Sequence, residues 1–366
     1  MDELNKNIEA ILEKHEIFFR LDDIGSGNGI DRWKCLEEKI TFLPVQYQLE
    51  SIRYQARYFG DVYHKYVDLP LIIKSGARDI GLWPICLMEK DGVWQVGSLG
   101  GEIKQPLFLE NELSRPKTQR KYLGAVLSLL ADFIVAFGMS TLSFVELVAD
   151  PSMNLWHRML MEWGGEIEHV THDSVCDLLI CDEEAKKRMH RTTIQNIVQA
   201  NQYYNVEIID GSSEEGVIEE RMEAFRQFHI KTAGRETRSR ETWKWQSEGI
   251  KKNRDFLIFQ YDKATGELDG ATLFTVTHSH CYYSVAVYNR NKFGKSLGHQ
   301  AQDAAIRKLR ELGVRYYIVG DRYYPADQVD EKNIHISDFK EAFGTDLFLK
   351  LHLVITAEKM IEHFKR

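Results

Sequence analysis

Apolar and polar positions along the chain trace one pattern twice. Residues 71–90 (LIIKSGARDIGLWPICLMEK), the turn Asp91-Gly92 and the run VWQVGSLGG alternate as three strands joined by turns. The run LIFQYDKATGELDGATLFTV from Leu257, the polar break His278-Ser279-His280 and the run CYYSVAVYN do the same. A long amphipathic helix follows each time, over Tyr122–Phe137 and over Gly298–Leu312. Each stops at a glycine, Gly138 or Gly313, where a left-handed C-cap costs least. A β-branched or aromatic strand comes next, TLSFVEL in the first copy and VRYYIVG in the second. The pattern predicts two tandem copies of one α/β unit.

Between the copies the periodicity predicts a helix in NLWHRMLMEWGG, a strand in SVCDLLICD and one basic helix over Glu183–Tyr203. Helices are also expected over residues 2–16 and 46–60, in EEGVIEERMEAFRQFHIKTAG and in SRETWKWQSEGIKK. A strand LFLKLHLVIT and a helix AEKMIEHFKR close the chain. The first copy carries an insertion, EIKQPLFLENELSRPKTQRKY, that the second lacks. The stretch Gly25–Gly29 has no hydrophobic strand before it and lacks the third glycine of a dinucleotide cradle, so it reads as a turn. Two intimately packed domains are expected, residues 1–178 and 179–366, with the final helix able to pack on the first.

The net charge of −8 argues against a chain built to hold nucleic-acid phosphates, and no DNA partner is expected. The most apolar run, Leu123 to Phe137, contains Asp132 and is too short to span hydrocarbon, so it reads as a helix buried on most sides. The charged start has no signal-peptide pattern, and the five cysteines include no C-x-x-C pair, which together suggest reduced thiols and a cytoplasmic location. His169, His172, Cys176 and Cys181 form a superficial metal pattern. The odd separation of the cysteines puts them on opposite faces of a strand, so no metal is expected.

The second copy holds the most suggestive chemistry. Its third strand, Ser284 to Tyr288, feeds the loop Asn289 to Ser296, which opens into a helix. Unpaired N–H groups and the helix dipole make such a place an anion site, and Arg290, Lys292 and Lys295 add positive charge. This strand–loop–helix arrangement resembles the acyl-CoA site of the GNAT N-acetyltransferases. The nearest match to their loop is Asn291-Lys-Phe-Gly294-Lys295-Ser296, with the first position substituted.

Further strings resemble the Fem-like transferases, which pair tandem GNAT-like domains. They are Gln195-Asn196-Ile197-Val-Gln-Ala200, with Ile194 at the place of an arginine, and Phe225-Arg-Gln-Phe228-His229 with Arg235 and Trp243. Ile318-Val-Gly320-Asp321 and Phe339-Lys340-Glu-Ala-Phe343-Gly344 complete the set. The resemblance spans about residues 60 to 350. It implies an α/β fold of two GNAT-like domains, each a mixed, mostly antiparallel sheet flanked by helices. The first domain would be structural and would wall the acceptor cleft, and the second would carry the acyl donor.

The resemblance also implies direct transfer of an acyl group, with acetyl as the expected group, from acyl-CoA to an amine. Main-chain N–H groups around Val285–Val287 would hold the oxyanion, and Asn291, Gly294, Lys295 and Ser296 the cofactor. Asp321 and His229 are candidate proton acceptors, and Tyr283 and Tyr323 candidate acids. Arg191, Arg235 and Lys340 are candidates for holding the acceptor, a small polar amine such as an amino sugar or a nucleotide-linked sugar. Two alternatives stand beside this reading. One is an aminoacyl-tRNA-dependent transferase, which the acidic charge and the missing coiled-coil arm count against. The other is a non-catalytic binding protein with a decayed site.

Overall fold

The structure is a computed structural model that describes residues 2–20, 28–112, 115–145 and 154–365. It divides into two compact units. The first comprises residues 1–41, 46–170 and 349–366, and the second comprises residues 42–45 and 171–348.

In the first unit, helices α1 (Asp2–Glu13), α2 (Asn28–Lys39) and α3 (Leu49–Phe59) accompany a sheet of order β1-β2-β3-β4. The strands are β1 (Phe18–Arg20), β2 (Lys65–Ser75), β3 (Arg78–Lys90) and β4 (Val93–Gly97). The pairs are antiparallel. The β3–β4 turn is Asp91-Gly92, both at positive φ (54° and 81°), as a tight hairpin with the twist of its strands requires. Much of the insertion forms the two-residue strands β5 (Ile103–Lys104) and β6 (Leu107–Phe108) and the start of α4 (Pro116–Phe137), with Pro116 in its first turn.

Helix α4 is buried along most of its length, and its one acid, Asp132, pairs with His15 at 2.8 Å. Gly138 caps it in the left-handed conformation. Strand β7 (Thr141–Val145) lies parallel to β5 and antiparallel to residues 352–356 of β14 (Asp346–Thr356). Helix α5 (Leu155–Glu162) and the final helix α12 (Ala357–Lys365) join the same core. Residues 25–27 of the glycine-rich stretch lie outside the described residues, and Asn28-Gly29 begin α2.

The second unit is a sheet of order β8-β13-β12-β11-β10-β9. Strand β8 (Glu166–Asp177) contributes residues 171–177. The others are β9 (Tyr204–Ile209), β10 (Asp255–Asp262), β11 (Leu268–Val276), β12 (His280–Tyr288) and β13 (Tyr316–Arg322). Alternation sends Phe256 and Ile258 to one face, against Ala301, Ala305 and Leu309 of α10 (Leu297–Glu311). Leu257 and Phe259 go to the other face, against α8 (Glu215–Ala233) and α9 (Arg240–Lys251). Helices α6 (Asp182–Arg188), α7 (Arg191–Tyr203) and α11 (Glu331–Glu341) complete the unit.

Three expectations give way to the structure. The strand sought in SVCDLLICD starts earlier, at Glu166, and ends at Asp177, leaving Cys181 exposed beyond it. The single basic helix over Glu183–Tyr203 is two helices, because Met189 and His190 adopt extended conformations between them. The division falls at 170/171, not 178/179: residues 172–177 ladder onto β13, while Leu353, Ile355 and Met360 enter the core of the first unit.

Candidate active site

Strands β12 and β13 run parallel but pair only at His280↔Tyr316, Cys281↔Tyr317 and Tyr282↔Ile318. Beyond Tyr282 no β13 residue lies opposite β12, while β12 stays on β11 as far as Tyr288. A bulge accompanies the divergence. Leu273 faces Val285 and Phe274 faces Tyr283, so Ser284 has no partner in the ladder. Its hydroxyl bonds Thr275 Oγ1 at 2.7 Å. Such a bulge sharpens the local twist and bends the strand. The side chains of Val285 and Val287 pack into the core against α8 and α9, so the strand's own backbone is what borders the gap.

At the end of β12 the chain makes a 3-10 turn, Arg290–Lys295, and enters α10 through Ser296, which holds a left-handed φ of 55°. Asn289 caps the turn by accepting from the Asn291 N–H. Gly294 is exposed, and a Cβ there would meet nothing within 4 Å. Ser296 is buried, and its hydroxyl donates to Gln199 Oε1 of α7 at 2.9 Å. Two rings abut the first turn of α10: a Cβ on Gly298 would lie 3.0 Å from Phe339 and 3.6 Å from Tyr288.

The turn's positive charge is largely spent inside the protein. Lys292 and Lys295 reach Asp262 Oδ2 at 3.3 and 3.2 Å, and Lys292 stands 4.0 Å from Asp269 Oδ2. Arg290 is exposed. The Ala264 N–H and then the lysines hold the Asp262 carboxyl at about 2, so it is ionised throughout the neutral range.

Two of the sequence strings meet at the end of β13. Gly320 has a φ of 129°, and a Cβ on it would lie 2.5 Å from Lys340 Nζ. A side chain there would push that ammonium away from the backbone, and the positive φ itself favours glycine. Helix α11, which carries Lys340, sets Phe339 against α10, buries Phe343 completely and ends where a side chain on Gly344 would strike the Ser174 hydroxyl. The string Phe339-Lys340-x-x-Phe343-Gly344 is thus a packing device that brings a cation to the residue before Asp321. Asp321 is partly exposed and pairs in register with the buried Asp173 of β8.

The remaining candidates divide. Tyr283 lies at the bulge, with its hydroxyl 3.2 Å from that of Tyr288, which reaches Thr272 at 2.9 Å. Burial, then the neighbouring Tyr288, raises its pKa well above the usual tyrosine value, so it is a neutral O–H donor. His229 of α8 stands edge-on to Trp243 (5.3 Å), and Nδ1 has no hydrogen-bond partner. Burial and then Arg238 lower its pKa, which favours the neutral imidazole. Arg191 and Arg235 are exposed.

Sequence reasoning missed Asp262, Asp269 and Tyr288. Asp262 reads locally as the acid of a turn, and nothing in its neighbours aims it at a loop thirty residues on. The corresponding corner of the first unit is shut. Ser98 and Gly101 bond each other through both backbone pairs (3.1 and 3.0 Å), and the Phe59 ring fills the space where Gly100 has no side chain.

A parted strand pair, a bulge, a turn and a long helix in the second unit, with a closed counterpart in the first, define a tandem GNAT-like α/β fold. The chain is similar in structure to FemX, at 10% identity over 92% of this chain and 98% of that one, with a TM-score of 0.64. It is also similar to the C-terminal domain of an assigned lysylphosphatidylglycerol synthetase from Agrobacterium fabrum (11% identity, 92% and 94% covered, TM-score 0.58). L-PGS from Bacillus licheniformis is a third (11% identity, 92% and 95% covered, TM-score 0.53). No family profile and no curated protein matches the chain. At these identities the likeness is one of fold. Among the described residues, no helix is long and apolar enough to cross a membrane.

Proposed function

We propose that the chain is an N-acyltransferase whose second unit carries the transfer, and that the acceptor is the amine of a small polar molecule such as an amino sugar or nucleotide-linked sugar. The observation that carries this reading is the parting of β12 from β13 after Tyr282, which leaves backbone at Val285–Val287 beside a gap that leads to the start of α10. A neutral amine attacks the acyl carbonyl there. The C–N bond forms, the backbone N–H groups steady the oxyanion, and the bond to the leaving group breaks. Asp321 takes the amine proton and the Tyr283 hydroxyl supplies one to the leaving atom. Lys340, beside Gly320, orients the acceptor. The turn and α10 hold the donor, acyl-CoA, through Asn291, Gly294, Lys295 and Ser296.

One observation favours a second reading of the donor. Lys292 and Lys295 are already paired with Asp262, and rings abut the first turn of α10, which weakens a diphosphate grip. An aminoacyl-tRNA presents its acyl group as an ester and does not need that grip. The likeness to FemX and to lysylphosphatidylglycerol synthetases fits such a donor.

Incubation of the purified protein with an amino-sugar panel and either radiolabelled acetyl-CoA or aminoacyl-tRNA tests both. Label transferred from acetyl-CoA, with a raised melting temperature in its presence, supports the first donor. Transfer only from aminoacyl-tRNA supports the second. No transfer from either, in a folded protein, refutes the enzyme reading and leaves a binding protein.

A further inference from the structure

Loop lysines at a helix start ordinarily face solvent or ligand, and here they are turned inward. The Asp262 side chain is only 4% exposed, and one of its oxygens receives both ammonium groups. Its other oxygen accepts from the Ala264 N–H at 2.9 Å. Asp269, 1% exposed, stands behind it, bonded to Asn289 Nδ2 at 2.8 Å and close to Lys292. Two lysines face two carboxylates, so the cluster is formally neutral. The lysines themselves are long and part-exposed, at 27% and 36%, and so can swing outward.

We propose that Asp262 is a resident counter-anion, which gives Lys292 and Lys295 the partner that a donor's phosphates would otherwise be and thereby sets the affinity of this turn for phosphate-bearing donors. This rests on reading the turn and α10 as the donor site. A phosphate that drew the lysines away would strand a buried carboxylate, and that desolvated, unpaired charge is costly. The cost is charged against the donor's affinity. It disfavours donors held by a diphosphate relative to those held elsewhere along the molecule, so Asp262 determines donor class.

Inorganic pyrophosphate, which carries neither acyl group nor nucleoside, is the probe. Calorimetric titration at low salt compares the native protein with Asp262→Asn, whose amide oxygen still accepts from Ala264. The variant is expected to bind pyrophosphate about tenfold tighter, with the gain lost at high salt, because freed ammonium groups bind anions strongly and are screened. A second variant, Asp262→Asn combined with Lys295→Met, is expected to lose most of that gain, since the ammonium freed from Asp262 is what binds the anion. A folded Asp262→Asn that binds no more tightly than the native protein overturns the proposal. So does a folded double variant that keeps the full gain, because the ammonium freed from Asp262 would then not be what binds the anion. Neither readout involves acyl transfer, so failure of the counter-anion role and failure of the enzymatic reading are told apart.

Discussion

The sequence proposes Asp321 and Tyr283 as proton-transfer groups, one at the end of the last core strand and one on the strand that feeds the loop before α10. The structure adds what a position cannot carry: a glycine gap that admits Lys340 at the residue before Asp321, and burial, next to Tyr288, that keeps Tyr283 protonated. Asp321→Asn is expected to lower kcat by about tenfold to hundredfold while KM stays within about twofold, since a proton acceptor acts in the transition state. Steady-state kinetics with the transferring donor checks this, and equal activity reduces Asp321 to a strand-end polar group. Tyr283→Phe is expected to slow turnover most for donors with poor leaving groups. A uniform slowing across donors argues that Tyr283 shapes the bulge and does not donate. Asp262 shows the opposite case, a residue whose partners lie thirty positions away and which no local pattern could single out.

The elements were legible wherever periodicity and termination signals agreed. Gly138 and Gly313 end their helices as read, with φ of 63° and 72°. The break inside Glu183–Tyr203 was partly written in charge. Asp182, Glu183 and Glu184 open α6 and Lys186, Lys187 and Arg188 close it, the arrangement that suits the dipole of a short separate helix. No glycine or proline marks the break, so the periodicity ran through it. The bulge at Ser284 left no signal either, since any residue serves there. Two glycines separate the kinds of constraint. Gly313→Ala, at positive φ in open space, is expected to cost about 1 kcal/mol for its backbone conformation. Gly320→Ala adds a clash with Lys340 and is expected to cost about 1–3 kcal/mol. Urea denaturation measures both, and equal losses mean that Lys340 moves aside without penalty.

At the scale of the whole molecule, each unit buries an imidazole. Desolvation lowers His157 in the first unit to about 4 and His280 in the second to about 3. His280 Nδ1 accepts from the Val45 N–H at 3.2 Å, so it must stay unprotonated to hold residues 42–45. The folded values lie below the unfolded value of 6.5, so the unfolded chain binds more protons across the interval. Stability is therefore full above pH 6.5 and falls as pH drops towards 4 for His157 and 3 for His280, by roughly 1.4 kcal/mol per pH unit for each. Melting temperatures from pH 8 to pH 5 should be level above neutrality and decline below it, and a level profile down to pH 5 refutes the assignment. Neither histidine announces its burial in sequence, because depth is a property of the assembled core. By itself the sequence determined the repeat, the helix stops, the alternating strands and the class of fold, since each of these follows from periods of two or 3.6 residues and from local backbone chemistry. Only the tertiary structure decided where β12 leaves β13, which carboxylate holds the loop lysines, and that residues 349–366 return to the first unit. Those outcomes depend on contacts between segments far apart in the chain, where no local period reaches.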